Sequence, residues 1–295
     1  DRDSYYGPGN APLKAYGKTT DLIAMGGAQY VHTFDKCLFM PSDLTAGLEY
    51  NRDRLKDNMW GYDRHTDQTV NIYSAFLQNE WKNERWSILV GGRLDKHNMV
   101  DNIIFSPRAN LRFNPTQNIN LRLSYSSGFR APQAFDEDMH IENVGGTVAM
   151  IERAKDLKEE KSQSFSVSAD MYHRFGAFQT NLLIEGFYTR LTDVFVLGKP
   201  YDRGDGILVK TRSNGPGAKV MGLTLEGKVA YLSILQIQAG LTLQRSRYDE
   251  PHKWHDDAPA EKKIFRTPDT YGYFTATYTP IKPLSIALSG TYTGR

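Results

Sequence analysis

The chain is built on a rhythm. Residues 42–51, 86–96, 118–127 and 235–244 each run about ten residues in largely apolar/polar alternation, the period of a β-strand. Strands of this length exceed the usual five or six residues and match what a tilted strand needs to cross a bilayer. The joints between them run short, long, short, long. Tight turns on one side and large loops on the other are the asymmetry of a transmembrane barrel.

The same reading predicts twelve strands, from residues 21–34 to residues 284–294. The first is the least regular, because its LIAMGGAQ core alternates poorly. In SDLTAGLEYN, Leu44, Ala46, Leu48 and Tyr50 oppose Thr45, Gly47, Glu49 and Asn51. In WSILVGGRLDKH, Trp86, Ile88, Val90 and Leu94 oppose Ser87, Gly91, Arg93, Asp95 and His97. Short joints are predicted at 35–41, 82–85, 115–117, 174–177, 232–234 and 280–283. Loops are predicted at 52–68, 97–104, 128–160, 193–218 and 246–268. An even strand count puts both ends on the long-loop side.

One face of each strand is almost free of charge, whereas the other carries Glu49, Arg93, Asp95, Arg108, Arg112, Arg122, Asp170, Glu185, Glu226 and Lys228. Aromatic residues gather near strand ends: Trp81, Trp86, Phe113, Phe178, Tyr231 and Tyr278 on the short-turn side, Tyr50, Tyr125 and Tyr188 on the other. Amphipathic rings take such places at membrane interfaces. The apolar face is therefore expected on lipid and the charged face on a wet or plugged lumen; the alternative is a large soluble β-sheet protein. A mean hydropathy of −0.53 is compatible with this, because a polar lumen dilutes the average. The absence of a long apolar stretch excludes a transmembrane helix. With 36 basic against 34 acidic residues, nothing argues for nucleic acid, which favours a basic stripe. A single cysteine, Cys37, excludes an intrachain disulfide.

Specific strings then matter. They are SPRANLRF from Ser106, SYSSGFRAPQAFDE from Ser124, LKEEKSQSFSVSAD from Leu157, RLTDVFVL from Arg190, GAKVMGLTLEG from Gly217 and RTPDTYGYF from Arg266. In their order and spacing the chain resembles the barrel of TonB-dependent outer-membrane receptors. The FRAP string of Phe129, Arg130, Ala131 and Pro132 resembles the family's barrel signature, a structural motif. RAKDLKEEKS stands where the family carries an NPxLKPE-like segment, but lacks the Asn-Pro and has Glu159 for the second Pro.

The resemblance implies an all-β, antiparallel up-and-down transmembrane barrel of 22 strands, with an N-terminal plug and a TonB box. Residues 1–295 are then expected to be part of one barrel domain, an interior segment without plug or terminal strands; whether twelve strands close by themselves stays open. The implied activity is non-enzymatic, TonB-driven uptake of a scarce small molecule across the outer membrane of a Gram-negative bacterium. The cargo would be a ferric siderophore, haem or cobalamin, and the other partners lipid and lipopolysaccharide. The rival readings are an outer-membrane barrel enzyme and a passive porin.

Binding residues are expected on loops that a rigid scaffold positions. His140 lies between the FRAP and LKEEKS strings, the interval in which the family's haem receptors carry an axial histidine. Tyr201, Tyr248 and Trp254 offer rings for stacking on a planar ligand. His252 and His255, with Asp256 and Asp257, bring metal-capable atoms. Asp136, Glu137 and Asp138 offer carboxylate oxygens to Ca²⁺. For each of these the plain alternative is a solvated loop residue. No HExxH, GxSxG or Gly-rich phosphate loop occurs, so no catalytic residue is assigned.

Overall fold

A computed structural model describes residues 2–5, 16–60, 64–133, 142–144, 147–204, 208–253, 259–264 and 267–294. The strands are β1 (Arg2–Tyr5), β2 (Tyr16–Cys37), β3 (Met40–Met59), β4 (Arg64–Lys82), β5 (Trp86–His97), β6 (Ile104–Thr116), β7 (Ile119–Arg130), β8 (Glu142–Val144) and β9 (Thr147–Arg153). They continue with β10 (Glu160–Phe175), β11 (Phe178–Thr192), β12 (Phe195–Leu197), β13 (Tyr201–Asp202), β14 (Leu208–Asn214) and β15 (Ala218–Tyr231). The last are β16 (Leu235–His252), β17 (Glu261–Lys263), β18 (Thr270–Ile281) and β19 (Leu284–Thr293).

A 14-stranded antiparallel sheet runs in the order β1-β2-β3-β4-β5-β6-β7-β10-β11-β15-β16-β18-β19, with β17 beside β16. All twelve predicted strands lie in it, and β1 is an addition at its edge. The cross-strand register carries one apolar row after another across the sheet. Phe113, Leu121, Ala169, Ile184, Leu225 and Leu241 stand side by side from β6 to β16. This face points away from the protein: in the adjoining row Val167 is 59% exposed and its partner Leu123 52%. An exposed apolar face of this extent is a surface made for a partner or a membrane.

Aromatic pairs border that face at both ends. Trp86 stacks on Phe113 with centroids 4.2 Å apart, and Phe178 lies 4.8 Å from Tyr231 on the short-turn side. Tyr50 with Tyr73, 4.9 Å apart, and Tyr125 with Phe165, 4.8 Å apart, mark the other. On β11 the band runs from Phe178 to Tyr188. At ~3.3 Å per residue this is about 33 Å of strand, or about 25 Å of membrane normal at ~40° tilt, the height of an outer-membrane apolar band.

The predicted loop at 52–68 is instead a continuation of the wall. β3 and β4 run 20 and 19 residues and stay paired from Ser42↔Trp81 to Met59↔Arg64. On the outer face Tyr50 is followed by Arg52, Arg54, Lys56 and Asn58. Above the aromatic border the outward row is basic instead of apolar, while Leu55, Asp57 and Met59 are buried on the other side and the hydrogen-bond ladder goes on. The predicted loops at 128–160 and 193–218 also contain structure. Their strands form a second sheet in the order β12-β14-β9-β8, with β13 beside β14.

Close approach explains one inner-face glycine. A Cβ at Gly222 would sit 2.5 Å from the Phe187 ring and 2.6 Å from the Leu243 carbonyl oxygen. Gly222→Ala is expected to destabilise the sheet by about 1–3 kcal/mol through overpacking. A denaturation midpoint of the intact protein in detergent equal to that of the parent would contradict this.

Candidate functional site

The second sheet sits at the long-loop end of the wall. β9 and β14 pair in parallel, Leu208↔Ala149 through Arg212↔Arg153, so two loops from different hairpins share one ladder. The FRAP string is its hinge to the wall. Ala131 is buried with Val100 and Ile104, and Phe129 packs on them. The Arg130 guanidinium lies 5.6 Å from the centroid of Phe195 on β12, a cation–π distance. The Pro132 carbonyl accepts from Arg153 Nη1 at 2.9 Å, and the same Nη1 donates to Gln68 Oε1 at 2.9 Å. Arg153 thus joins β9, the motif and the β4 wall at one atom.

The LKEEKS segment ties the other side. Glu160 Oε2 accepts from the Phe195 backbone N–H at 2.8 Å. Asn214 accepts from the Lys158 N–H at 2.8 Å, and its amide donates to the carbonyls of Lys158 and Asp193 at 3.1 and 2.9 Å. Partial burial opposes the charge of Glu159, but the Lys161 ammonium 3.0 Å away outweighs it and holds the carboxyl below its ordinary value. His97, fully buried at the end of β5, accepts from the Met99 N–H on Nδ1 at 3.0 Å. Its Nε2 therefore carries the proton toward Gln133 Oε1, 3.3 Å away.

Between the β3–β4 extension, the 98–103 joint and β9 lies a cavity of about 780 Å³. Among the described residues its lining carries Arg64, Arg153, Lys155 and Arg203, with His65, and the carboxylate of Glu152. The described lining is thus predominantly basic in composition, which suits a negatively charged guest. The inner face of the wall is charged as well. Arg93 pairs with Glu49 at 2.6 Å and Asp95 at 2.8 Å, and Glu226 holds Lys228 at 2.9 Å. Arg112 and Arg122 are direct cross-strand partners, and neither has an ion pair among the described residues.

Of the expected ligand residues, Tyr201, Tyr248 and His252 lie among those described. His140, Trp254, His255, Asp136, Glu137 and Asp138 lie outside the described residues, as do Asp256 and Asp257. Tyr201 on β13 is 50% exposed, whereas Tyr248 is buried against Val194 and Ala218. The His252 ring is 5.9 Å from Tyr248. Among the described residues no three His, Cys, Asp or Glu side chains come together as metal ligands. The cavity cations were not anticipated, because they are scattered singly over segments read as loops; the one available signal was the basic excess of RAKDLK.

Across residues 1–295 the sequence matches the family model described as TonB dependent receptor-like, beta-barrel. The chain belongs to the TonB-dependent receptor barrel family. Its members are outer-membrane proteins of Gram-negative bacteria, and the large antiparallel sheet is thus part of the wall of such a barrel. The fold is similar to the siderophore receptor PirA from Pseudomonas aeruginosa, at TM-score 0.69 and 16% identity over 94% of this chain and 49% of that one. It is similar to the ferric enterobactin receptor PfeA, at TM-score 0.68 and 19% identity over 95% and 42%. The FrpB iron transporter from Neisseria meningitidis matches at TM-score 0.64 and 16% identity over 96% and 44%. The chain thus spans half or less of the length of these receptors. A search of curated protein sequences finds no match.

Proposed function

We propose that this barrel belongs to a receptor that takes up an anionic ferric chelate across the outer membrane with energy from TonB. The observation that carries the reading is the basic cavity at the long-loop mouth, with Arg64, Arg153, Lys155 and Arg203 on its lining. Catecholate and carboxylate chelates of ferric iron carry net negative charge, and guanidinium groups bind such oxygens with strong, directional hydrogen bonds. The structural relatives are named for siderophores and iron, which favours an iron chelate over cobalamin or haem. In this reading TonB acts through a plug inside the barrel, and the inner-face arginines Arg108, Arg112 and Arg122 meet that plug. The protein is a transporter rather than an enzyme, and its apolar face lies in the outer-membrane lipid.

The test is ligand binding by the intact receptor. Each charge-assisted contact contributes about 1.5 kcal/mol or more, roughly tenfold in affinity. Arg64→Glu with Lys155→Glu and Arg203→Glu should therefore weaken an anionic ferric tris-catecholate at least ~100-fold. A neutral ferric hydroxamate should be spared. Equal affinity of parent and variant for the catecholate would remove the reading.

A further inference from the structure

The outer face changes character above the aromatic border on one part of the wall. The register aligns Gln163, Arg190, Lys219, Arg247 and Lys263 in one lateral row on β10, β11, β15, β16 and β17. The row just below reads Phe165, Tyr188, Met221 and Arg245. Neighbouring strands are ~4.8 Å apart, so four cations stand within about 15 Å, directly over the membrane band. Lys219 faces Arg190 on one side and Arg247 on the other as direct cross-strand partners. Like charges in such pairs are destabilising unless an anion joins them.

Two of the cations are answered within the protein. Arg190 Nη2 pairs with Asp249 Oδ2 at 2.6 Å, and Lys263 Nζ with Asp269 Oδ2 at 3.0 Å. Lys219, Arg245 and Arg247 have no ion pair among the described residues, and Arg247 Nε is buried without a hydrogen-bond partner. These three line a cavity of about 430 Å³ together with Met221, Asp249 and Lys262. A groove of about 670 Å³ adjoins it, sharing Met221 and Arg245. The groove runs down into the membrane band between Phe165, Val167, Tyr188 and Leu223, over the bare backbone of Gly186.

We infer that this patch holds a phosphate-bearing lipid of the leaflet on the long-loop side. Its phosphate sits among Lys219, Arg245 and Arg247, and an acyl chain lies in the groove over Gly186. A cationic pocket continuous with a lipid-facing apolar groove matches both halves of such a molecule, and clustered basic residues at a membrane surface attract anionic headgroups. A free anion would leave the groove unused. The inference rests on the reading that the apolar face lies in the bilayer.

The test uses the intact protein in phosphatidylcholine nanodiscs supplied with bisphosphorylated lipid A, with the dephosphorylated lipid as comparison. Bound lipid is counted by native mass spectrometry. Each basic residue near the surface contributes about 1 kcal/mol. The combined variant Lys219→Glu, Arg245→Glu and Arg247→Glu should thus lose about 100-fold in affinity for the phosphorylated lipid. The milder pair Lys219→Gln and Arg247→Gln, which keeps the wall free of new charge, should lose about 30-fold. Gly186→Leu fills the groove and alters no charge; its Cβ would meet Val167 at an ordinary 3.6 Å. It should lower retention roughly tenfold, the worth of about two buried methylenes.

Equal retention of the phosphorylated and dephosphorylated lipids overturns the inference. So does full retention in Gly186→Leu with inorganic phosphate as an effective competitor, which would mark a site for the free anion. A spin label at Leu225 separates the two readings. Water contact there sinks the membrane placement itself, whereas lipid contact without phosphate selectivity sinks only the lipid site.

Discussion

Arginine in place of Leu225 should destabilise the folded barrel by about 2–4 kcal/mol, the cost of a cation on the lipid face near the bilayer midplane. Leu225 stands between Ile184 and Leu241 in the register, midway between the aromatic row of Phe178 and Tyr231 and that of Tyr188. It is 38% exposed, and the proposed membrane placement turns that exposure toward hydrocarbon. Ser289→Arg supplies the comparison, because Ser289 pairs with Thr275 on the opposite face, where water or polar partners receive the charge. It should cost under about 1 kcal/mol. The two variants are compared by urea titration of the intact protein folded into vesicles. Equal costs would mean that the two faces meet the same medium, and the barrel orientation would be wrong.

Arg153→Ala should free the second sheet from the wall. A guanidinium hydrogen bond contributes about 1.5–3 kcal/mol, and the acceptors left behind add their own desolvation cost. Both acceptors of Arg153 Nη1 are held in place by the fold: Gln68 is only 7% exposed and Pro132 follows the buried Ala131. Amide exchange in β9 and β14 should accelerate about 100-fold, corresponding to ~2.7 kcal/mol of lost protection. Exchange in β5 and β6 should stay as it is. Lysine at the same position carries one compact ammonium in place of the planar fork, so it should restore part of the protection. Unchanged exchange in β9 after removal of Arg153 would show that other contacts hold the sheet. The same variant removes one of the four cavity cations, so its loss of anionic chelate should exceed that of Lys155→Ala.

The wall was legible because a bilayer imposes one rule on every strand that crosses it. Leu44, Leu123, Val167 and Leu225 had to alternate with polar partners, and a turn had to follow about every ten residues. Where the membrane ends, the rule ends. Arg52 to Asn58 carry basic side chains outward and turn Leu55 and Asp57 inward, so they lack the apolar outer row while forming as regular a ladder as Ser42 to Asn51. The second sheet was hidden for a further reason. β9 and β14 are short, lie far apart in sequence and pair in parallel, which no local pattern announces. The cavity inherits that opacity, because its walls come from β4, β9 and a joint that only the fold brings together. The outer cation cluster could have been suspected from Arg190, Lys219 and Arg245, each two residues beyond an apolar position on its own strand. Its meaning depends on register, which alternation alone does not supply across three hairpins.

The parallel ladder between β9 and β14 also bears on how such receptors diversify. Surface loops on a barrel are usually free to change length and sequence one at a time, like tiles on separate grout lines. Here the loop after β7 carries two strands of one sheet and the loop after β11 the other three. A graft that exchanged either alone would leave its partner with an unsatisfied edge at the mouth of the barrel. The two should therefore transplant only as a pair, and recombination between relatives should tolerate breakpoints outside residues 131–217 far better than between them.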